Sequence, residues 1–166
     1  MFTHTPTGEH TCALRDANAI ERVPPKFSHI CPEGSAALII DPIIDGFHLT
    51  KVLMDGGSSL NLLYQDIVRK MGIDPSRIKP TTTILKGALP GVEAHCTGSI
   101  TLEVIFGSPN NFRSEGLTFD IALFHSGYRA LLGHTALAGF NAVPLYALAE
   151  LKMPGPRDVI TINGNM

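Results

Sequence analysis

The sequence predicts an all-β (β-rich) fold, a small closed barrel with one helix after a glycine-rich loop and a short helix toward the C-terminus. Three observations favour this fold class. Short apolar runs follow one another at close spacing, two of them alternate apolar with polar residues, and only one segment has a clear helical period. The 166 residues suffice for one domain with its own core and a tail.

Composition and charge exclude several classes of protein. Hydrophobic residues make up 44% of the chain and charged residues 17%, as in a folded domain. The formal net charge is -2 with no block of like charges, which argues against a nucleic-acid partner. No apolar run approaches the ~20 residues that span a bilayer, and no signal-peptide core opens the chain. We therefore expect a soluble, cytoplasmic protein with no membrane partner.

The cysteines and histidines predict neither a disulfide framework nor a metal site. Cys12, Cys31 and Cys96 form an odd, scattered set without zinc-ligand spacing, so free thiols in a reducing compartment are expected. The seven histidines contain no His-x-x-x-His pair. His95 and Cys96 are expected to be exposed to solvent. The sequence thus predicts no metal and no other cofactor.

The chain divides into an irregular N-terminal segment and one folded domain. Residues 1–34 contain Thr5-Pro6-Thr7-Gly8 and Pro24-Pro25 and have no strand or helix period, which indicates a linker or a remnant of a longer chain. Residues 35–164 are predicted to form the domain. The alternative that residues 26–30 pack on it as a stray strand stays open.

The first half of the domain predicts strands and then a helix. Ala36–Ile40 is an apolar run, and Asp45-Gly46 is a hairpin signal before a second run, Phe47–Met54. That run ends in three consecutive apolar residues, as in a strand buried on both faces. The helix is predicted from one apolar face at i, i+3, i+4 and i+7: Tyr64, Ile67, Val68 and Met71. Gly72 is its expected end.

Three strands are predicted in the middle of the domain. Thr82–Leu85 is the first candidate. Ile100–Phe106 and Leu117–Leu123 alternate apolar and polar residues, as half-buried strands do. Asp120 is expected on the polar face of the last of these strands.

The C-terminal part predicts further short elements. Ala130–Leu132 is a short apolar strand before a glycine. Thr135 is expected to cap a short helix over Ala136–Asn141. Val143–Leu151 and Val159–Ile162 are the last predicted strands.

The loop after Met54 carries the candidate chemistry. Asp55 follows a buried run and precedes four small residues: Gly56, Gly57, Ser58 and Ser59. Glycines let the backbone turn sharply and aim N–H groups at the carboxylate, and serines add hydroxyl donors. The same pattern is common in ordinary turns. The two serines lack the glycine two residues later that a serine-nucleophile turn needs, so they are expected to be turn hydroxyls.

One buried carboxylate does little, but two that face each other share a proton, as in aspartic proteases. One of the pair can then activate water while the other protonates a carbonyl oxygen. The sequence has only one such loop. The pair can therefore form only in a two-fold dimer, with Asp55 from each subunit.

From Ala36 to about Asn163 the sequence resembles the protease region of plant gypsy-type LTR retrotransposon polyproteins, a retropepsin-like aspartic protease family. The run ending at Asp55 and the serines after it resemble the family's catalytic loop, and Asn61–Tyr64 leads into its next helix. A segment resembling the substrate flap follows, made of Lys86, Gly87, Ala88, Leu89, Pro90 and Gly91. Tyr128–Gly133 resembles the second signature, which centres on Leu131, Leu132 and Gly133.

The resemblance implies a retropepsin-like acid-protease barrel that works as a symmetric homodimer on an extended peptide or polyprotein substrate. It implies that Asp55 is catalytic, that residues 56–59 form the active-site loop and that residues 86–91 close over the substrate. It implies no metal and no cofactor. On this interpretation residues 1–34 are a polyprotein remnant.

Two positions depart from the family pattern. Gly56 stands where a threonine or serine usually joins the two loops across the dimer, a hydrogen bond of about 1 kcal/mol per side. His134-Thr135 stands where many members have an arginine and an acidic or amide residue that brace the dimer. These departures support an alternative function, a catalytically inactive retropepsin-like relic that acts as a dimeric or peptide-binding module.

Overall fold

The computed structural model describes residues 37–86, 93–124 and 126–165. The predicted linker, residues 1–34, lies outside the described residues, as do Gly87 to Gly91 of the predicted flap. In the described ranges the chain is mostly β-structure with two short α-helices, which confirms the predicted fold class. No helix in these ranges is long and apolar enough to cross a membrane.

The described residues form twelve strands, two α-helices and two 3₁₀ turns. The strands are β1 (Leu38–Ile40), β2 (Ile43–Ile44), β3 (Phe47–His48), β4 (Val52–Met54), β5 (Asn61–Tyr64), β6 (Ile84–Lys86), β7 (Glu93–Ser108), β8 (Asn111–Ala122), β9 (Ala130–Leu132), β10 (Val143–Leu145), β11 (Glu150–Pro154) and β12 (Val159–Asn163). The helices are α1 (Gln65–Lys70) and α2 (His134–Phe140). The 3₁₀ turns are Pro75–Arg77 and Tyr146–Leu148.

Nine of these strands form one curled half-barrel sheet with the order β1-β4-β9-β5-β8-β7-β2-β3, and β6 pairs with β7. The pairs β4–β9 and β5–β8 are parallel, and β5–β9 is antiparallel. β9 therefore lies between β4 and β5, and the loop that joins β4 to β5 must pass over the end of β9. β10, β11 and β12 form a separate antiparallel sheet.

The core packs on both faces of the curled sheet at its centre, since residues that point to opposite faces are buried there. β4 and β5 are buried along their whole length, as predicted for Val52–Met54. The largest fully buried side chains include Tyr64, Phe119 and Phe140. Burying each such side chain contributes about 1.5–3 kcal/mol. The core thus fixes the strands that lead into and out of the candidate loop.

Helix α1 presents its predicted apolar face to the core through Ile67, Val68 and Met71. It ends at Lys70, and the predicted stop, Gly72, follows two residues later with a left-handed φ of +66° that glycine adopts readily. Tyr64 precedes the helix, as the last residue of β5.

Several element boundaries differ from the prediction. Phe47–Met54 is two strands, because Lys51 adopts a left-handed φ of +58° and interrupts the run. Val143–Leu151 is likewise divided by a 3₁₀ turn. The predicted cap at Thr135 is wrong: α2 begins at His134 after Gly133, and no side chain caps it.

Two burial predictions are wrong for a shared reason. Asp120 and Cys96 are both buried rather than exposed, whereas His95 is exposed as expected. The Thr81 hydroxyl donates to Asp120, and the Cys96 N–H donates to the carbonyl of Thr83, so the same segment packs beside both residues. Alternation within a single strand cannot reveal such a neighbour. Cys96 is a free thiol, as predicted.

Candidate active site

Asp55 directly follows buried strand β4 and is itself 2% exposed. Its N–H donates to the carbonyl of Leu132 at 2.8 Å, which joins the loop to the end of β9. The N–H of Gly57 donates to Asp55 Oδ1 at 3.0 Å, and the N–H of Ser58 donates to the Asp55 carbonyl at 3.1 Å. The loop is thus a tight turn that supplies a backbone donor to a buried carboxylate, an interaction that stabilises its ionised form.

The two loop serines differ in environment. Ser58 is fully buried, and its hydroxyl donates to the carbonyl of Leu60 at 3.0 Å and accepts from the Leu60 N–H at 3.2 Å. Ser59 is exposed. Ser58 therefore closes the second half of the loop, in agreement with its interpretation as a turn hydroxyl.

The second predicted signature, Leu131, Leu132 and Gly133, lies beside this loop. Leu131 and Leu132 pair with Leu53 and Met54 in adjacent parallel strands. A Cβ at Gly133 would lie 2.6 Å from the carbonyl oxygen of Ser58, so no side chain fits there. The His134 N–H also donates to that oxygen, at 2.7 Å. Two segments distant in sequence are thereby held in backbone contact.

Asn61 is a site residue that the sequence analysis missed. Its buried side chain accepts from the Gly133 N–H at 2.8 Å and donates to the Thr118 carbonyl at 3.1 Å. It therefore ties β5 to β8 and to the second signature. The signal was present in the sequence: an amide within an apolar run is buried, and a buried amide needs partners.

Gly56 contacts a tyrosine from the C-terminal region. The Tyr146 hydroxyl accepts from the Gly56 N–H at 3.4 Å. A Cβ at Gly56 would lie 3.4 Å from the same hydroxyl and 3.3 Å from Leu137 Cδ1. A larger residue therefore fits only if these neighbours move by a few tenths of an ångström. Tyr146 lies ninety positions away in sequence, and no local pattern indicated it.

The predicted flap is only partly described. Lys86 is the last residue of β6, which pairs antiparallel with the start of β7. Gly87, Ala88, Leu89, Pro90 and Gly91 belong to the segment that joins these strands and lies outside the described residues.

A second buried carboxylate lies on β8. Asp120 is 8% exposed, and the Thr81 hydroxyl donates to its Oδ1 at 3.4 Å. Burial raises the pKa of Asp120, and hydrogen bonds from Thr83 and Thr81 oppose that rise. Burial, assisted by the nearby Asp120 charge, raises the pKa of the Cys96 thiol to about 11. Cys96 therefore stays protonated and unreactive at neutral pH.

The described ranges contain no group of three His, Cys, Asp or Glu side chains close enough together to hold a metal ion.

The fold is similar to that of known structures. The retroviral protease-like domain of Ddi1 from Leishmania major matches with a TM-score of 0.55 and 11% identity, over 79% of this chain and 95% of that one. The chain has a retropepsin-like fold. A retropepsin-like aspartic protease from Rickettsia conorii matches with a TM-score of 0.48 and 20% identity, over 76% of this chain and 81% of that one. No protein-family model and no curated protein sequence matches.

Within this retropepsin-like fold, two of the predicted groups come together: Asp55 with its loop, and the second signature, meet where β4 and β9 end side by side. Lys86 of the predicted flap lies on β6, which pairs with β7.

Proposed function

We propose that this chain is an aspartic endopeptidase that acts as a symmetric homodimer. The observation that carries the proposal is the setting of Asp55. This buried carboxylate lies at the end of β4, receives the Gly57 N–H and is bound through its backbone to the second signature at Leu132. The sequence has one such loop, so a facing pair of carboxylates requires a second copy of the chain.

In the proposed dimer the two Asp55 carboxyl groups hold one proton between them, because like charges so close do not both ionise. The ionised carboxylate takes a proton from water as the water oxygen bonds to the scissile carbonyl carbon. The protonated carboxyl gives its proton to the carbonyl oxygen. As this tetrahedral intermediate collapses, the carboxyl that took the water proton gives it to the amine nitrogen, the C–N bond breaks, and the other carboxylate takes a proton from one hydroxyl, so that the pair again holds one proton.

The proposed substrate is an extended peptide segment of a polyprotein. It would pair by backbone hydrogen bonds as an added strand, under a flap built from residues 86–91. We infer an origin in a plant gypsy-type LTR retrotransposon from the order of sequence motifs. The surrounding genomic locus tests this origin, since a reverse-transcriptase reading frame is expected next to the coding sequence.

The decisive experiment is cleavage of a degenerate peptide library at about pH 5, where a coupled carboxyl pair can be singly protonated. The native chain is compared with Asp55→Asn and with Asp74→Asn, an exposed aspartate whose capping oxygen the amide keeps. Cleavage by the native chain and by Asp74→Asn but not by Asp55→Asn is expected. The rate should rise more steeply than linearly with protein concentration, because only the dimer is active.

A folded native chain that is dimeric by sedimentation but cuts no peptide would overturn the endopeptidase proposal. The second candidate function is then favoured, an inactive relic that acts as a dimeric or peptide-binding module. Gly56 favours this second candidate, because glycine has no hydroxyl group. Its N–H donates to the Tyr146 hydroxyl instead. Binding of peptides without cleavage would distinguish this module from an enzyme.

A further inference from the structure

A pocket of about 370 Å³ opens beside the candidate loop. It lies between the second half of the loop, strand β8 and the start of α2. Its polar lining consists of one carboxylate and four uncharged groups: Asp120, Ser59, Asn61, Thr118 and Thr135. The pocket therefore has a single acidic group and several hydrogen-bonding groups around it.

Asp120 is a nearly buried carboxylate without a described basic partner. The ion pairs of the described residues join other groups, and the described donors to Asp120 are the hydroxyls of Thr81 and Thr83. A carboxylate removed from water is unfavourable unless a cation or strong donors compensate for it. A cationic group that enters the pocket would therefore gain a counter-ion that the fold has already largely desolvated, so that only the cation's own desolvation opposes the pairing.

The strand register puts Asp120 within reach of a peptide bound at Asp55. Leu53 pairs with Leu131, Leu131 with Leu62, and Leu62 with Asp120. Three strand spacings separate the ends of this row, roughly 14 Å, and Asp55 lies two residues beyond Leu53, so Asp55 and Asp120 are on the order of 15 Å apart. An extended peptide advances about 3.3 Å per residue. A side chain about four residues from the scissile bond can therefore reach the pocket.

We infer that this pocket is a specificity subsite for a lysine or arginine side chain of the peptide substrate, with the carboxylate of Asp120 as its counter-ion. The inference rests on the proposed endopeptidase function and names a feature of its substrate. A bound Ca²⁺ fits the pocket less well, because such sites need six or more oxygen ligands and usually several carboxylates.

The test uses one cleavable peptide with lysine or norleucine at each of the four positions on either side of the scissile bond. At one position, lysine is expected to raise kcat/KM at least about tenfold over norleucine, the effect of one charged hydrogen-bonded pair. Asp120→Asn should abolish this preference. Glu103→Gln should keep it, because Glu103 is an exposed acid on the same β7–β8 hairpin and its change removes the same charge.

A second arm measures binding of the same peptides to Asp55→Asn by fluorescence anisotropy, with and without Asp120→Asn. Cleavage without a lysine preference, or with a preference that survives Asp120→Asn, overturns the subsite and leaves the endopeptidase proposal intact. If the native chain cleaves no peptide but lysine peptides bind in a way that depends on Asp120, the subsite is supported and the endopeptidase proposal is overturned. Neither cleavage nor preferential binding overturns both.

Should Asp120→Asn fail to fold, Thr135→Lys replaces it. Thr135 is exposed at the start of α2 and lines the pocket, so a lysine there would compete with the substrate cation. Loss of the lysine preference in this variant supports the subsite, and an unchanged preference overturns it.

Discussion

At the scale of single residues, Gly56 and Tyr146 act as a pair. The Tyr146 hydroxyl lies 3.4 Å from the Gly56 nitrogen, beside a position that has no side chain. A threonine at position 56 would therefore add more than a hydroxyl. Its Cβ would also crowd Leu137 and Tyr146.

We expect Gly56→Thr alone to lower the free energy of unfolding by about 1–2 kcal/mol, because overpacking displaces Tyr146 and Leu137. Adding Tyr146→Phe removes the crowding hydroxyl and should recover part of that loss. A double-mutant cycle in urea is expected to give a coupling energy of at least about 0.5 kcal/mol. Additive effects of the two changes would show that the residues do not act as a pair.

Asp120 gives a pH-dependent prediction. Its folded-state pKa is raised by burial, so the folded protein binds more protons than the unfolded chain between the ordinary value of 3.8 and the raised value. Stability is therefore lost as pH rises through that window. Asp120→Asn should melt at a higher temperature than the native chain at pH 7, and the difference should vanish below pH 3.8.

Thermal melting of both chains across pH checks this prediction. An equal gain in melting temperature at every pH would show that Asp120→Asn acts through packing and not through ionisation. The same variant is expected to lose the lysine preference, so that stability and specificity change in opposite directions.

At the scale of elements, the crossing of the β4–β5 loop over the end of β9 depends on Gly133. Gly133→Ala should lower the free energy of unfolding by about 1–3 kcal/mol, since its Cβ would strike the backbone carbonyl oxygens of Ser58 and Leu60. Gly139→Ala in α2 is the matched control, because its Cβ would meet only Leu117 Cδ2 at 3.6 Å.

Urea unfolding of the two variants tests this prediction. The control should be neutral or stabilised by about 0.5–1 kcal/mol, since alanine favours a helix over glycine. Equal effects at the two glycines would contradict the view that the crossing excludes a side chain at position 133.

The elements predicted from the sequence are those with a local pattern. Alternation predicted only the C-terminal parts of β7 and β8, and the three-residue apolar run predicted β4. β5 was missed as a strand of its own, because four consecutive buried residues resemble the start of the helix that follows. The burial of Asp120 and the contact of Tyr146 with Gly56 depend on segments that are distant in sequence, and no single-strand pattern encodes them.

At the scale of the whole molecule, the proposed dimer needs a surface on which two chains meet. Exposed apolar side chains occur on the separate C-terminal sheet and its turn: Val143, Leu148 and Val159. Leu148 is 65% exposed. We expect this sheet to lie in the proposed dimer interface, because burying such side chains between copies is favourable.

Leu148→Asp should then weaken the dimer at least about tenfold in Kd, the effect of burying one charge in an apolar contact. Phe112→Asp is the control, because Phe112 is also exposed but belongs to the β7–β8 hairpin. Sedimentation equilibrium measures both. Equal weakening by the two variants, or none by Leu148→Asp, would contradict this interface.

The position of β9 between β4 and β5 also determines when, during synthesis of the chain, the candidate site can form. The loop at Asp55 is hydrogen-bonded to Leu132 and His134, which are synthesised long after it. Contacts so distant in sequence form slowly, since the intervening chain must first be closed into a loop. On a ribosome, the loop cannot assume its final shape until the second signature has emerged. A nascent chain that ends before that point therefore holds an unassembled site, and any activity of the protein begins only after the second signature has been synthesised.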